Sequence, residues 1–149
     1  MAGEPMLRNS SSRWSLALLL LALLGCGMGA QKENAERVTE GYFNVMSQGP
    51  PASALALYSE SFFEKMPREK WRANLEALSS RLGEMKSHSL VNWNVNLQAG
   101  SGAYTTLVYN VTYSKFNSTE TFVLFTSDSQ AEPQIVGHHI QSDAFLVQQ

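Results

Sequence analysis

Cysteine is nearly absent from this chain. Cys26 is the only one in 149 residues, which excludes an intramolecular disulfide framework. Histidine is scarce, and none of His88, His138 and His139 stands in an H-x-x-x-H or H-E-x-x-H spacing, so the sequence offers no metal-ligand motif. A basic excess is lacking as well. The net charge is −2, and without residues 1–25 nine basic side chains face twelve acidic ones, which excludes the electrostatic footprint of a nucleic-acid binder. Only one long apolar run occurs and no second follows it, so a multi-pass membrane protein is excluded. What is present, 44% hydrophobic and 16% charged residues, suits a single globular domain.

The one apolar run reads as an export signal over residues 1–25. Arg8 and Arg13 supply a basic start, and Trp14 to Leu24 (WSLALLLLALL) is uncharged and Leu-rich. It falls short of the roughly 20 apolar residues that span a bilayer and fits a signal-peptide core. Leu23-Leu24-Gly25-Cys26 places a large apolar residue at −3, a small one at −1 and a cysteine at the end of the run. This resembles the bacterial lipobox, which implies a thioether-linked diacylglycerol on Cys26 and cleavage before it. Acyl chains would then hold the protein on a membrane, at about 0.8 kcal/mol per buried methylene. Gly27 is not the aspartate that resembles an inner-membrane retention signal, so in a Gram-negative cell the periplasmic face of the outer membrane is expected. Alternatives stay open: cleavage after Ala30, releasing a soluble secreted domain, or an apolar segment that is an uncleaved signal anchor or a buried N-terminal helix. Residues 26–33 read as a lipidated tether, small and polar, and 34–149 as the folded domain.

Within that domain the spacing of Ala35, Val38, Tyr42, Val45 and Met46 predicts a helix over about 33–47, ended by Gly49-Pro50-Pro51. A short helix is expected at 52–58, using Ala54, Leu55 and Tyr58, and a turn anchored by Phe62 and Phe63. A third helix starts near Pro67; Trp71, Leu75, Leu78 and Leu82 form its core stripe and Gly83 caps it. The period then changes to two. In 90–97, Val91, Trp93, Val95 and Leu97 alternate with asparagines, predicting a half-buried strand. Segments 103–113, 119–126 and 134–142 read as three more strands, with Thr105, Leu107, Tyr109, Val111 and Tyr113 on one face of the second. Apolar groups on both faces place the third centrally. Helices first and strands after argue for an α+β fold: three N-terminal helices on a curved four-stranded antiparallel sheet. One face of the second and third strands is expected to stay partly apolar, which suits a second copy, an envelope protein or a small ligand as partner.

The order of "EKW" and "RLG" in one helix, then "GAYTTLVYNVTY", "STETFVLF" and "IVGHHI", is similar to the NTF2-like, or cystatin-like, cone fold. More narrowly it resembles bacterial domain-of-unknown-function family 4019 over about 33–143. Its carriers are Trp71, Leu82-Gly83, Gly102 with Tyr104, Glu120 and Gly137; where the family has a tryptophan and a basic residue before the last strand, Glu132-Pro133-Gln134 stands here. The resemblance implies an envelope protein and supplies no catalytic residues and no cofactor.

NTF2-like enzymes work inside the cone with an acid–base group and hydrogen-bonding tyrosines. The comparable residues here are His138, His139 and Asp143, with Tyr58, Trp71, Tyr109 and Phe122 as candidate pocket lining. Adjacent strand residues point to opposite faces, so His138 and His139 cannot chelate one metal. Glu120 is expected at the strand edge, pairing with Lys115 or another base. Lys65, Arg68, Lys70 and Arg72, interleaved with Glu64 and Glu69, read as a solvated helix face. The two function classes separate on what fills the cone. An enzyme keeps an ionisable group at the bottom of a cavity; a non-catalytic interaction module packs it with Trp71, Leu75, Tyr109 and Phe122.

Overall fold

The computed structural model describes residues 12–128 and 131–146, with side chains from Gly27 onward. Residues 1–11, Arg8 among them, lie outside the described residues, as does the side chain of Cys26. The chain divides into two compact units between Ala30 and Gln31. Helix α1 (Ser12–Gln48) supplies the described part of the first unit and opens the second. Residues 27–33, expected as a tether, are therefore helical. No proline interrupts GMGAQKE, and Lys32 pairs one turn on with Glu36 at 2.8 Å. Among the described residues no helix is long and apolar enough to cross a membrane.

In the second unit a 3-10 helix (Pro51–Leu57) follows α1, then α2 (Glu60–Lys65) and α3 (Arg68–Leu82). The turn expected at Phe62-Phe63 is in fact α2. Ser59 caps it by accepting from the Phe62 N–H at 3.2 Å, and Glu60 and Lys65 sit at the ends that the helix dipole favours for their charges. In α3, Pro67 is the N-cap rather than the first helical residue, and Trp71, Leu75, Leu78 and Leu82 are all buried. Its basic face is solvated: Arg68 pairs with Glu60 at 2.8 Å and Arg72 with Glu69.

Strands β1 (Met85–Gln98), β2 (Gly102–Tyr113), β3 (Asn117–Thr126) and β4 (Gln134–Gln141) form one open antiparallel sheet in the order β1-β2-β3-β4. The protein is α+β, its helices packed against that sheet. On β2 Thr105, Leu107, Tyr109, Val111 and Tyr113 all face inward and are buried. On β3 the inward set is Ser118, Glu120, Phe122, Leu124 and Thr126, while the opposite face is half-buried. Strand β1 departs from expectation: Val91, Trp93 and Leu97 are 53%, 44% and 53% exposed. β1 is an edge strand, and its pairing with β2 is irregular between Leu90 and Asn92. Alternation alone does not reveal how far the helix layer extends over an edge.

Gly102 opens β2 at φ 117°, and a Cβ there would lie 2.1 Å from the Thr126 carbonyl oxygen. Backbone cannot yield as a side chain does. Gly102→Ala is expected to cost at least about 1–3 kcal/mol, seen as a lower urea midpoint. Gly100→Ala, at φ 74° with open space around it, should fall by only about 1–2 kcal/mol. Equal midpoints for the two variants would contradict the close approach.

Candidate functional site

Strand alternation places Glu120 in phase with Phe122 and Leu124, so its carboxylate points into the core and is fully buried. This corrects the expected edge position. Lys115 instead donates to the Ser80 carbonyl at 3.0 Å. The phase of Glu120 with its apolar neighbours was the sequence signal for burial.

Pairing of β3 with β4 sets Phe122 opposite His138 and Glu120 opposite Ile140. His138 is thus diagonal to Glu120 on the inner face, within reach of a long side chain. Its Nε2 lies 3.3 Å from Glu120 Oε2, and both side chains are wholly enclosed. Its Nδ1 lies 2.7 Å from the Tyr58 hydroxyl. An imidazole protonated on Nε2 alone satisfies both contacts: Nε2–H donates to the carboxylate and Nδ1 accepts from the phenol. The other carboxylate oxygen accepts from the Tyr113 hydroxyl at 2.6 Å and from Ser118 at 3.1 Å. Aromatic rings close the surroundings. Phe122 stacks on His138 at 4.0 Å between centroids, and Tyr42 and Trp71 meet it edge-on at 5.1 and 5.6 Å.

The phenols respond to this setting. Burial first, then the charge of Glu120, holds the Tyr113 and Tyr42 hydroxyls well above the usual phenol range. Burial likewise raises Tyr58. Tyr109 is pushed up to about 12 by burial, partly offset by its hydrogen bond with Thr39, 2.7 Å away.

Of the residues singled out from sequence, Tyr58, Trp71, Phe122 and His138 come together. Tyr109 packs against Phe122 from the side, bonded to Thr39 rather than to the histidine. His139 belongs to the opposite strand phase and is exposed. Asp143 is exposed in a 3-10 helix (Asp143–Phe145) and lines a recess with Asn117 and Ser118, so it is no partner for His138. Glu120, Tyr113 and Ser118 take the place given to it. His88, isolated in the sequence, stacks on Phe43 at 4.1 Å and pairs with Glu40 at 3.0 Å.

Beside the network a cleft of about 450 Å³ opens between α3 and β4, bordered by Trp71, Leu75, Leu78, Arg81, His138 and Phe145. Both His138 nitrogens and both Glu120 oxygens are already engaged inside the core, so a molecule in the cleft meets no free acid–base group from this pair. Among the described residues no group of three or more His, Cys, Asp or Glu is placed to hold a metal ion. No protein-family model matches this chain, and no curated protein or solved structure matches it.

Proposed function

We propose that this is an exported protein, anchored to the cell envelope by acyl chains on Cys26, whose folded unit is a non-catalytic binding or interaction module of the NTF2-like kind. The observation that carries the non-catalytic reading is the packed interior. Trp71, Leu75, Tyr109 and Phe122 are buried together, and the Glu120–His138 pair is enclosed with its hydrogen-bonding atoms engaged. Leu23-Leu24-Gly25-Cys26 after the apolar run supports the anchor. The outward face of β2 and β3, with Tyr104 and Phe125 in ring contact at 4.8 Å beside Val108 and Val123, offers apolar surface to a second copy or an envelope protein.

A cavity enzyme is the second reading, favoured by one observation: His138 borders the cleft. It requires the histidine to leave Tyr58 or Glu120 before it can serve a substrate.

Cell fractionation tests the anchor. Wild-type protein is expected in the membrane pellet, and Cys26→Ser is expected to lose lipidation and mature-length processing together. Identical processing and fractionation of the two would overturn the lipid anchor. A turnover abolished by His138→Gln in a protein that still folds would establish the enzyme instead.

A further inference from the structure

From Ser87 to Ser114 the sequence has no Asp, Glu, Lys or Arg. This stretch is the β1–β2 hairpin, and its exposed edge carries Val91, Trp93 and Leu97. A hairpin that exposes a tryptophan and two aliphatic side chains without one charge is unusual for a surface surrounded by water.

Its place in the fold gives it a neighbour. Gln31, the first residue of the second unit, is nearly buried and lines one recess with Leu97, Gly100, Ala103 and Thr126. The chain therefore enters the domain at the hairpin tip. Gln31 lies five steps along the chain from Cys26, a reach of at most about 18 Å however that segment runs. Acyl chains on Cys26 would fix it at the hydrocarbon boundary, beneath a headgroup layer about 5–8 Å thick in each leaflet. The hairpin end is then held within a few residues' length of the headgroups.

The side chains there suit that position. Tryptophan favours the membrane–water interface, where its ring is half-buried and its N–H wet. The Lys32 ammonium lies 5.7 Å from the centre of the Trp93 ring, its long stem free to cover apolar surface while the charge stays among headgroups. Lys32 is also paired with Glu36, and Asp128 lines the same recess while Glu33 is exposed beside Lys32, so this end has no excess of positive charge to draw it to anionic headgroups and its attraction is interfacial rather than electrostatic.

We infer that the β1–β2 hairpin, through Trp93 and Leu97, rests on the lipid surface to which Cys26 is anchored. The inference rests on the anchor proposed above. The tether makes the contact effectively intramolecular, so a small apolar patch suffices.

The test uses the mature protein extracted from membranes and reconstituted in phosphatidylcholine vesicles with brominated acyl chains. Trp14 leaves with the signal segment, and Trp71 is only 7% exposed against 44% for Trp93, so lipid-dependent quenching reports on Trp93. Quenching is expected in the wild type, lost in Trp93→Phe, weakened in Leu97→Ser and insensitive to salt. Intact mass of the same sample shows whether Cys26 is acylated. An acylated protein whose Trp93 stays open to aqueous acrylamide, or is shielded from both quenchers by a second copy, overturns the hairpin contact alone. A protein without acyl mass overturns the anchor and this inference with it.

Discussion

Glu120→Leu is expected to lower stability by on the order of 3 kcal/mol or more, because buried donors lose the acceptor they share. The carboxylate accepts from Tyr113, Ser118 and His138. Leucine fills similar space but leaves those three donors without an acceptor, at about 1–3 kcal/mol for each buried group that finds no new partner. For a domain whose total stability is typically about 5–15 kcal/mol, the midpoint of urea unfolding should fall severely. Glu120→Gln, which keeps an acceptor oxygen, should lose less. His138→Phe places a ring against Phe122 and removes one stranded donor, so the double variant Glu120→Leu/His138→Phe should lose less than the sum of the single losses. Additive losses would mean that the 3.3 Å contact carries no coupling, and an unchanged Glu120→Leu midpoint would remove the network from the account of stability.

Alkaline pH is expected to unfold the protein sharply. Tyr42, Tyr58, Tyr109 and Tyr113 are all raised above the ordinary phenol value of 10.0 in the folded state. Below that value both states are protonated and their contribution to stability is fully present. As pH rises through it, the unfolded chain releases protons that the folded chain retains, so stability falls. Each phenol contributes a slope of at most about 1.4 kcal/mol per pH unit, and four together approach roughly 5 kcal/mol per unit. The share of Tyr109 is exhausted near its raised value of about 12. Tyrosinate absorbance and far-ultraviolet circular dichroism, followed together, should show the buried phenols ionising in step with loss of structure. Full ionisation with the fold intact would contradict their enclosure.

Much of this fold is legible in local periodicity. The stripe Trp71, Leu75, Leu78, Leu82 and the inward set on β2 are regular over several turns or pleats, and tertiary packing uses both as written. Gly83 ends its helix at φ 85°, as its position after the stripe suggests. Other features depend on information that no single segment holds. Val91, Trp93 and Leu97 alternate as a buried face would, yet β1 is the sheet edge, and that follows from topology. Helix α2 is only one to two turns long, too short for a period, and its signal was the cap at Ser59. The site was half-legible. His138 and Tyr58 were visible as candidates, but their contact spans eighty positions and depends on β3–β4 register and the Tyr58–Ile135 bridge. Asp143 fits the acid–base type by residue identity alone, whereas the carboxylate that meets His138 is Glu120, set by strand phase.

The most direct test of the account is native mass spectrometry of the full-length gene product gently extracted from membranes. The expected spectrum is a chain beginning at Cys26 with added acyl mass and no small molecule retained in its packed interior. An unmodified chain beginning beyond Cys26, or one that carries a stoichiometric small molecule lost on His138→Gln, would contradict the reading of an anchored, non-catalytic module.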